Sequence, residues 1–154
     1  MTILTLVELS RSAGTTFGPS EWMAIDQGRV DAYADAVGDR QWIHVDVGRA
    51  RASPMGATIA HGNFTLALVT PMFDSLVSVQ PCARILNYGY DKVRFLAPVR
   101  VGSRIRLTAE LARVEQRTAA SGEAGVLVAW KFTVASDDGT RPAVVAEKLQ
   151  LFLF

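Results

Sequence analysis

Gly62-Asn63-Phe64-Thr65-Leu66-Ala67-Leu68-Val69-Thr70-Pro71-Met72-Phe73-Asp74-Ser75-Leu76 is apolar on nearly every side of a helical wheel. Such a helix leaves little polar surface for water and must be wrapped by other elements. Pro71 cannot donate a hydrogen bond to the carbonyl of Ala67, which predicts a kink. The stretch reads as a bent helix at the centre of the domain.

Upstream of it, Asp26 stands where a helix cap belongs, ahead of a buried stripe of Val30, Tyr33, Ala34 and Val37 at spacings of three and four. Gly38 offers the left-handed position that ends this helix. Asp39 to His44 reads as a non-helical connection, and Val47 to Ala52 as one short helical turn. Downstream of Val79 the pattern changes to strands: Ile85 to Tyr90, Lys92 to Leu96, a long one at Ser103 to Glu115, another at Val126 to Val134, and a last one at Val144 to Phe154. Ile105, Leu107, Ala109 and Leu111 alternate with Arg104, Arg106, Thr108 and Glu110, and Val126, Val128, Trp130, Phe132 and Val134 share one face. Asp137-Asp138-Gly139 supplies the turn of the final hairpin. One buried helix followed by long antiparallel strands predicts an α+β fold in which the sheet curls around the helix. With apolar residues on both faces of its last strand and an unprotected edge, such a sheet is expected to be covered or continued by a second copy, as a homodimer.

The chain has 154 residues, enough for one core and too short for two well-cored domains, so residues 1–154 are read as a single domain. Its composition, 49% apolar and 20% charged, is that of a globular protein. Lys plus Arg number 16 against 15 Asp plus Glu, with no basic groove rich in aromatics, which speaks against nucleic acid as a partner. Arg100, Arg104 and Arg106 read first as the wet face of a strand and second as contacts for a phosphorylated ligand. Cys82, the only cysteine, excludes an internal disulfide. No basic start resembling a signal peptide precedes Arg11, and the uncharged stretch from Ala52 to Phe73 is interrupted by Pro54, Gly56, His61, Gly62 and Pro71. The expectation is a cytoplasmic chain with no membrane span.

Chemistry-bearing residues gather between the two helices. The only histidines are His44, in Gly38-Asp39-Arg40-Gln41-Trp42-Ile43-His44, and His61, in Thr58-Ile59-Ala60-His61-Gly62. A carboxylate and an imidazole this close on a bending segment can hold one water and move protons both ways near neutral pH. The spacing fits a structural role equally: Asp39 accepting backbone hydrogens at a helix end, and His44 a satisfied ring. Gly62, opening the central helix, would let a ligand approach a free backbone N–H able to stabilise a developing oxyanion, or would serve packing alone. Two histidines without HExxH spacing and a lone cysteine give no zinc pattern, and carboxylates without loop spacing give no calcium pattern. GxGxxG, Walker and GxSxG motifs are absent, which removes nucleotide folds and serine hydrolases and leaves acid–base chemistry.

These two motifs, together with Asn87-Tyr88-Gly89-Tyr90-Asp91-Lys92-Val93-Arg94-Phe95, resemble the MaoC-like dehydratases and (R)-specific enoyl-CoA hydratases, most of all the single-hotdog branch that includes mycobacterial enoyl-CoA hydratase 1 and nodulation protein N-like proteins. The resemblance implies a hotdog fold, an antiparallel sheet wrapped around a long central helix, assembled as a homodimer. It implies hydration of trans-2-enoyl-CoA to (R)-3-hydroxyacyl-CoA without a metal or bound cofactor, with Asp39 as base, His44 holding the water and sharing proton transfer, and the Gly62 N–H on the thioester carbonyl. Thr70 falls at the position of a supporting helix serine, His61 reads as an orienting or packing residue, and Lys92 and Arg94 as possible contacts for the phosphates of CoA. Many members carry Asn-Pro where this chain has Gln41-Trp42, so the loop beside the acyl chain is a point of departure. A hotdog acyl-CoA thioesterase and a non-catalytic acyl-CoA or lipid binder are the alternatives.

Overall fold

The computed structural model describes residues 1–154. Short elements precede the first long helix: β1 (Thr2–Leu4), α1 (Leu6–Arg11), β2 (Thr16–Phe17) and β3 (Met23–Ala24). Helix α2 (Gln27–Val37) begins as its sequence requires, with the Asp26 carboxylate accepting from the Arg29 N–H at 2.9 Å, and ends at Gly38 in the left-handed conformation. Val30 and Ala34 of its apolar stripe are buried and Tyr33 partly so, whereas Val37 is 53% exposed. The connection expected to be non-helical contains one helical turn, α3 (Trp42–Val45), and α4 (Val47–Ala52) follows it.

The expected central helix is not present as one long element. Residues 62–74 form two short helices, α5 (Gly62–Ala67) and α6 (Val69–Asp74), with Leu68 between them. Pro71 explains the break, since the Ala67 carbonyl at which α5 ends is the one a residue-71 N–H would have bonded. Nor is the segment surrounded. His61, Phe64, Thr65, Leu68, Val69, Met72 and Phe73 are buried at spacings of three and four, while Asn63, Ala67, Thr70, Pro71 and Asp74 are exposed. Thr70, Asp74 and Ser75 outweigh the apolar count along the wheel, so one face packs and the other stays open. The hotdog layout expected for the chain, a sheet wrapped around a long central helix, is corrected accordingly: the fold is α+β with several short helices and both parallel and antiparallel pairing.

Strand β4 (Val77–Val79) pairs in parallel with β1 in a sheet of two strands. The larger, antiparallel sheet runs β2-β6-β7-β8-β5, with β3 also on β6; its long members are β5 (Arg84–Phe95), β6 (Arg104–Thr118), β7 (Ala124–Ser136) and β8 (Val144–Leu153). Alternation decides which side chains enter the core. Leu107, Ala109 and Leu111 of β6 face Val134, Phe132 and Trp130 of β7 across the ladder, and with Ile105 they join α6 residues Val69, Met72 and Phe73 in one apolar cluster. The two strands expected between Ile85 and Leu96 are a single strand, β5, interrupted by register shifts at Asn87/Gly89 and Asp91/Arg94. β5 pairs only with β8, so its second edge is free, and Ile85, Leu86, Tyr88 and Phe95 on it are exposed. Arg104 pairs with Asp137, Arg100 with Asp138, and the Arg104 and Arg106 guanidinium groups lie over the Trp22 ring, which assigns this basic group to a solvated face. No helix is long and apolar enough to cross a membrane.

Phe73 is 3% exposed and meets Trp130 edge-on at 4.7 Å between ring centroids. Phe73→Ala should cost about 3–5 kcal/mol in urea unfolding; a loss below about 1 kcal/mol would mean that α6 is not clamped to the sheet in this way.

Candidate active site

The segment that carries the site is folded by hydrogen bonds made before any side chain of the site is counted. Ile59 bridges Arg100, the Ala60 N–H bonds the Val99 carbonyl at 2.8 Å, and the Val101 N–H bonds the Thr58 carbonyl at 2.9 Å. The Ile59 N–H also reaches the Ile43 carbonyl at 3.0 Å, tying α3 to this stretch. Gln27 on α2 links the same pieces: its amide donates to the His44 carbonyl at 2.8 Å, and its Oε1 accepts from the Thr58 hydroxyl at 2.5 Å.

Asp39, His44, His61 and Gly62 are brought together. The His44 and His61 rings stack with centroids 3.7 Å apart and planes inclined at 24°. His44 Nδ1 lies 2.6 Å from the Ile59 carbonyl and His61 Nε2 lies 2.9 Å from the Asp39 carbonyl. A carbonyl only accepts, so both nitrogens are the protonated ones, leaving Nε2 of His44 and Nδ1 of His61 as the basic atoms. His61 Nδ1 is buried with no partner, while the Asp39 carboxylate, past the Gly38 turn, is 56% exposed. Burial holds the His44 imidazole below its ordinary pKa; the Ile59 carbonyl opposes this, the neighbouring His61 adds to it, and Asp39 opposes it.

Two cavities meet at this point. One, about 390 Å³, is mostly polar and lined by Tyr33, Asp39, His44, His61 and Asn63; the other, about 240 Å³, is apolar and lined by Ile59, Ala60, Thr65, Phe95, Val99 and Val144. His44 and Gly62 border both. Gly62 is the first residue of α5, so its N–H has no carbonyl partner within the helix. A Cβ there would stand 2.9 Å from the Phe95 ring, so the glycine both admits that ring and exposes its peptide. Because α5 has six residues, the field expected of a long helix is replaced by the local N–H alone.

One donor atom each from Asp39, His44 and His61 lies within 4.8 Å of the others. Two ring nitrogens are already committed to carbonyls, and an ion shared by rings stacked 3.7 Å apart would sit well out of the plane of each. That donor set suits a hydrogen-bonded water better than a metal.

The other expected residues lie elsewhere. Thr70, two turns along from Gly62, accepts from Lys148 Nζ at 2.8 Å. Lys92 pairs with Glu147 beside a separate cleft that Lys131 also lines, and the Arg94 guanidinium donates to the Val93 carbonyl. Sequence reasoning read Tyr33 only as core, although its ring lies against both His61 and Phe64, and it passed over Asn63. It also missed Lys148, which is 1% exposed. The alternation Val144, Ala146, Lys148, Gln150, Phe152 could have revealed it, as a lysine on the inward face of a strand.

The chain is an α+β domain that brings one carboxylate and two imidazoles together beside an apolar cavity. Residues 8–131 match the model of the MaoC like domain, and the chain belongs to that family. It is 43% identical to 3-hydroxyacyl-thioester dehydratase Z of Mycobacterium tuberculosis over 96% of this chain and 95% of that protein. Nodulation protein N of Rhizobium leguminosarum bv. viciae is 37% identical over 98% of this chain and 92% of its own. Among solved structures, the R-hydratase PhaJ1 of Pseudomonas aeruginosa shares the fold with a TM-score of 0.72 at 19% identity, over 92% of this chain and 81% of that one.

A histidine depressed on folding binds fewer protons in the folded chain than in the unfolded one. Its contribution to stability is full above the unfolded pKa of about 6.5 and is lost as pH falls through the folded value. The His44 ring should therefore titrate below free histidine by NMR, and His44→Gln should flatten the acid-side fall in stability. Titration above about 6.5 would contradict the burial of this ring.

Proposed function

We propose that this chain hydrates trans-2-enoyl-CoA to (R)-3-hydroxyacyl-CoA and catalyses the reverse dehydration. The observation that carries this reading is the meeting of a polar and an apolar cavity at His44 and Gly62. An enoyl thioester lying across that junction puts its hydrocarbon tail among Ile59, Phe95 and Val99, its carbonyl at the Gly62 N–H, and its β-carbon toward Asp39 and His44. The dehydratase activity named for the mycobacterial relative supports the assignment.

In this reading a water bridges the Asp39 carboxylate and His44 Nε2. Asp39 takes one proton as the water oxygen bonds to the β-carbon. The π electrons move toward the thioester oxygen, which the Gly62 N–H stabilises, and the proton taken from water is returned to the α-carbon. His61 keeps the pair aligned, through its bond to the Asp39 carbonyl and its stack on His44. The steps in this reading use two side chains, one peptide N–H and one water.

The free edge of β5, with Ile85, Leu86 and Tyr88 exposed beside it, supports a homodimer formed along that strand. Sedimentation should give twice the chain mass, and a monomer at micromolar concentration would remove this part of the proposal.

Loss of enoyl absorbance on mixing a short trans-2-enoyl-CoA with the protein tests the activity, with chiral analysis of the product. Asp39→Asn and His44→Ala should each lower kcat by about 10²–10⁴-fold. Undiminished turnover by Asp39→Asn, or release of free thiol in place of a hydrated thioester, would overturn the assignment.

A further inference from the structure

Gln27, the first residue of α2, has both N–H groups and the oxygen of its side-chain amide in use. Nε2 donates to the His44 carbonyl at 2.8 Å and to the Asp31 carboxylate at 2.8 Å, and Oε1 accepts from the Thr58 hydroxyl at 2.5 Å. A carbonyl and a carboxylate only accept, so a flipped amide would set its oxygen against both. Asp31 stands one turn later on the same helix, where residues four apart are neighbours, and fixes the direction of the side chain.

His44 and Thr58 stand at the two ends of a further hydrogen bond. The His44 ring donates from Nδ1 to the Ile59 carbonyl at 2.6 Å, and Thr58 precedes Ile59 in the chain. Gln27 spans this bond as a splint, holding the donor residue by its carbonyl and the acceptor's neighbour by its hydroxyl. Helix α3, which carries His44, has four residues, and one isolated turn is too short to keep its own shape. Thr58 is 2% exposed, so without Gln27 its hydroxyl would have little access to water. His61 is held by other groups, the Asp39 carbonyl and the Tyr33 ring.

We propose that Gln27 is a positioning residue that sets the tautomer of His44. The inference rests on the reading in which His44 Nε2 accepts from the reacting water. A neutral imidazole free in water favours the opposite form, with its proton on Nε2, and in that form His44 would donate to the water instead of accepting from it. The bond to Ile59 overrides this preference only while donor and acceptor are kept at contact distance. A displacement of about 1 Å in a catalytic group can cost about 10²-fold in rate, and a catalytic histidine in the wrong tautomer about 10⁴-fold. The two histidines of the chain carry opposite tautomers, Nδ1–H in His44 and Nε2–H in His61, so His61 is a built-in reference.

The test reads the tautomers without substrate, from the ring-nitrogen chemical shifts at a pH where both rings are neutral. The wild-type chain should show His44 protonated on Nδ1 and His61 on Nε2. Gln27→Met keeps the length of the side chain and removes its hydrogen bonds, while Thr58→Val keeps the shape and removes the hydroxyl. Each should move His44 toward the Nε2–H form and leave His61 unchanged; Thr58→Ser, which retains the hydroxyl, should keep the wild-type tautomer. With trans-2-butenoyl-CoA, Gln27→Met and Thr58→Val should lower kcat about 10–10²-fold with KM within about threefold, and Thr58→Ser should restore kcat to within about threefold of wild type. Cooperative urea unfolding identifies the variants that remain folded. Protonation of wild-type His44 on Nε2, retention of Nδ1–H in the folded variants, or a shift that His61 shares would overturn the proposal. A change of tautomer at His44 alone, in a protein whose wild type turns over no enoyl thioester, would support the splint and refute the hydratase reading.

Discussion

The hydrogen bond from His44 Nδ1 to the Ile59 carbonyl, 2.6 Å long, is the constraint on which the site depends. A carbonyl cannot donate, so this single contact selects one tautomer of the ring and leaves Nε2 as its basic atom. The carbonyl is itself held by the bridge between Ile59 and Arg100, and His44 by the turn of α3 and by Gln27. His61 repeats the device from the other side, donating to the backbone of Asp39 while lying flat on His44. Two imidazoles, each tied to a main-chain oxygen, thus hold a half-exposed carboxylate beside a buried imidazole, with His61 Nε2 4.0 Å from the Asp39 carboxylate.

Much of this was legible in the chain before folding. Alternation located the faces of β6 and β7 residue by residue, and Asp26 and Gly38 marked both ends of α2. The meeting of Asp39, His44 and Gly62 was implied by the family resemblance that the two short motifs carry, whereas spacing alone left it open. The central helix was misread because counting apolar residues around a wheel ignores what three polar side chains do. Thr70, Asp74 and Ser75 fall on one side and turn an apparently uniform helix into a two-faced one, and Pro71 divides it. The misreading of β5 as two strands has a similar origin, since a register shift interrupts the pattern without ending the strand. Lys148 lay in plain view, yet a lysine in a strand reads as solvent-facing unless its parity is followed along β8.

The amphipathic bend in α5–α6 also organises the surface chemistry. Its packed side supplies Phe64, Val69, Met72 and Phe73 to the core, and its open side runs past Asn63 toward Thr70. A straight helix enclosed on all sides would have no such open track. Polar groups that look unsatisfied in the core, among them Gln150 Oε1, lie on the rungs under that track. Their desolvation is costly without partners.

A Cβ on Gly62 would stand 2.9 Å from the Phe95 ring, so any side chain at residue 62 forces that ring to move. The same aromatic ring is a wall of the tail compartment and the neighbour of the peptide that opens α5. Selection for bulkier or longer tails at that wall would therefore act at the same time on how firmly that peptide is held. In the proposed reading, the wall that bounds the tail and the peptide that meets the carbonyl form one contact, so a change of shape at either is felt at both.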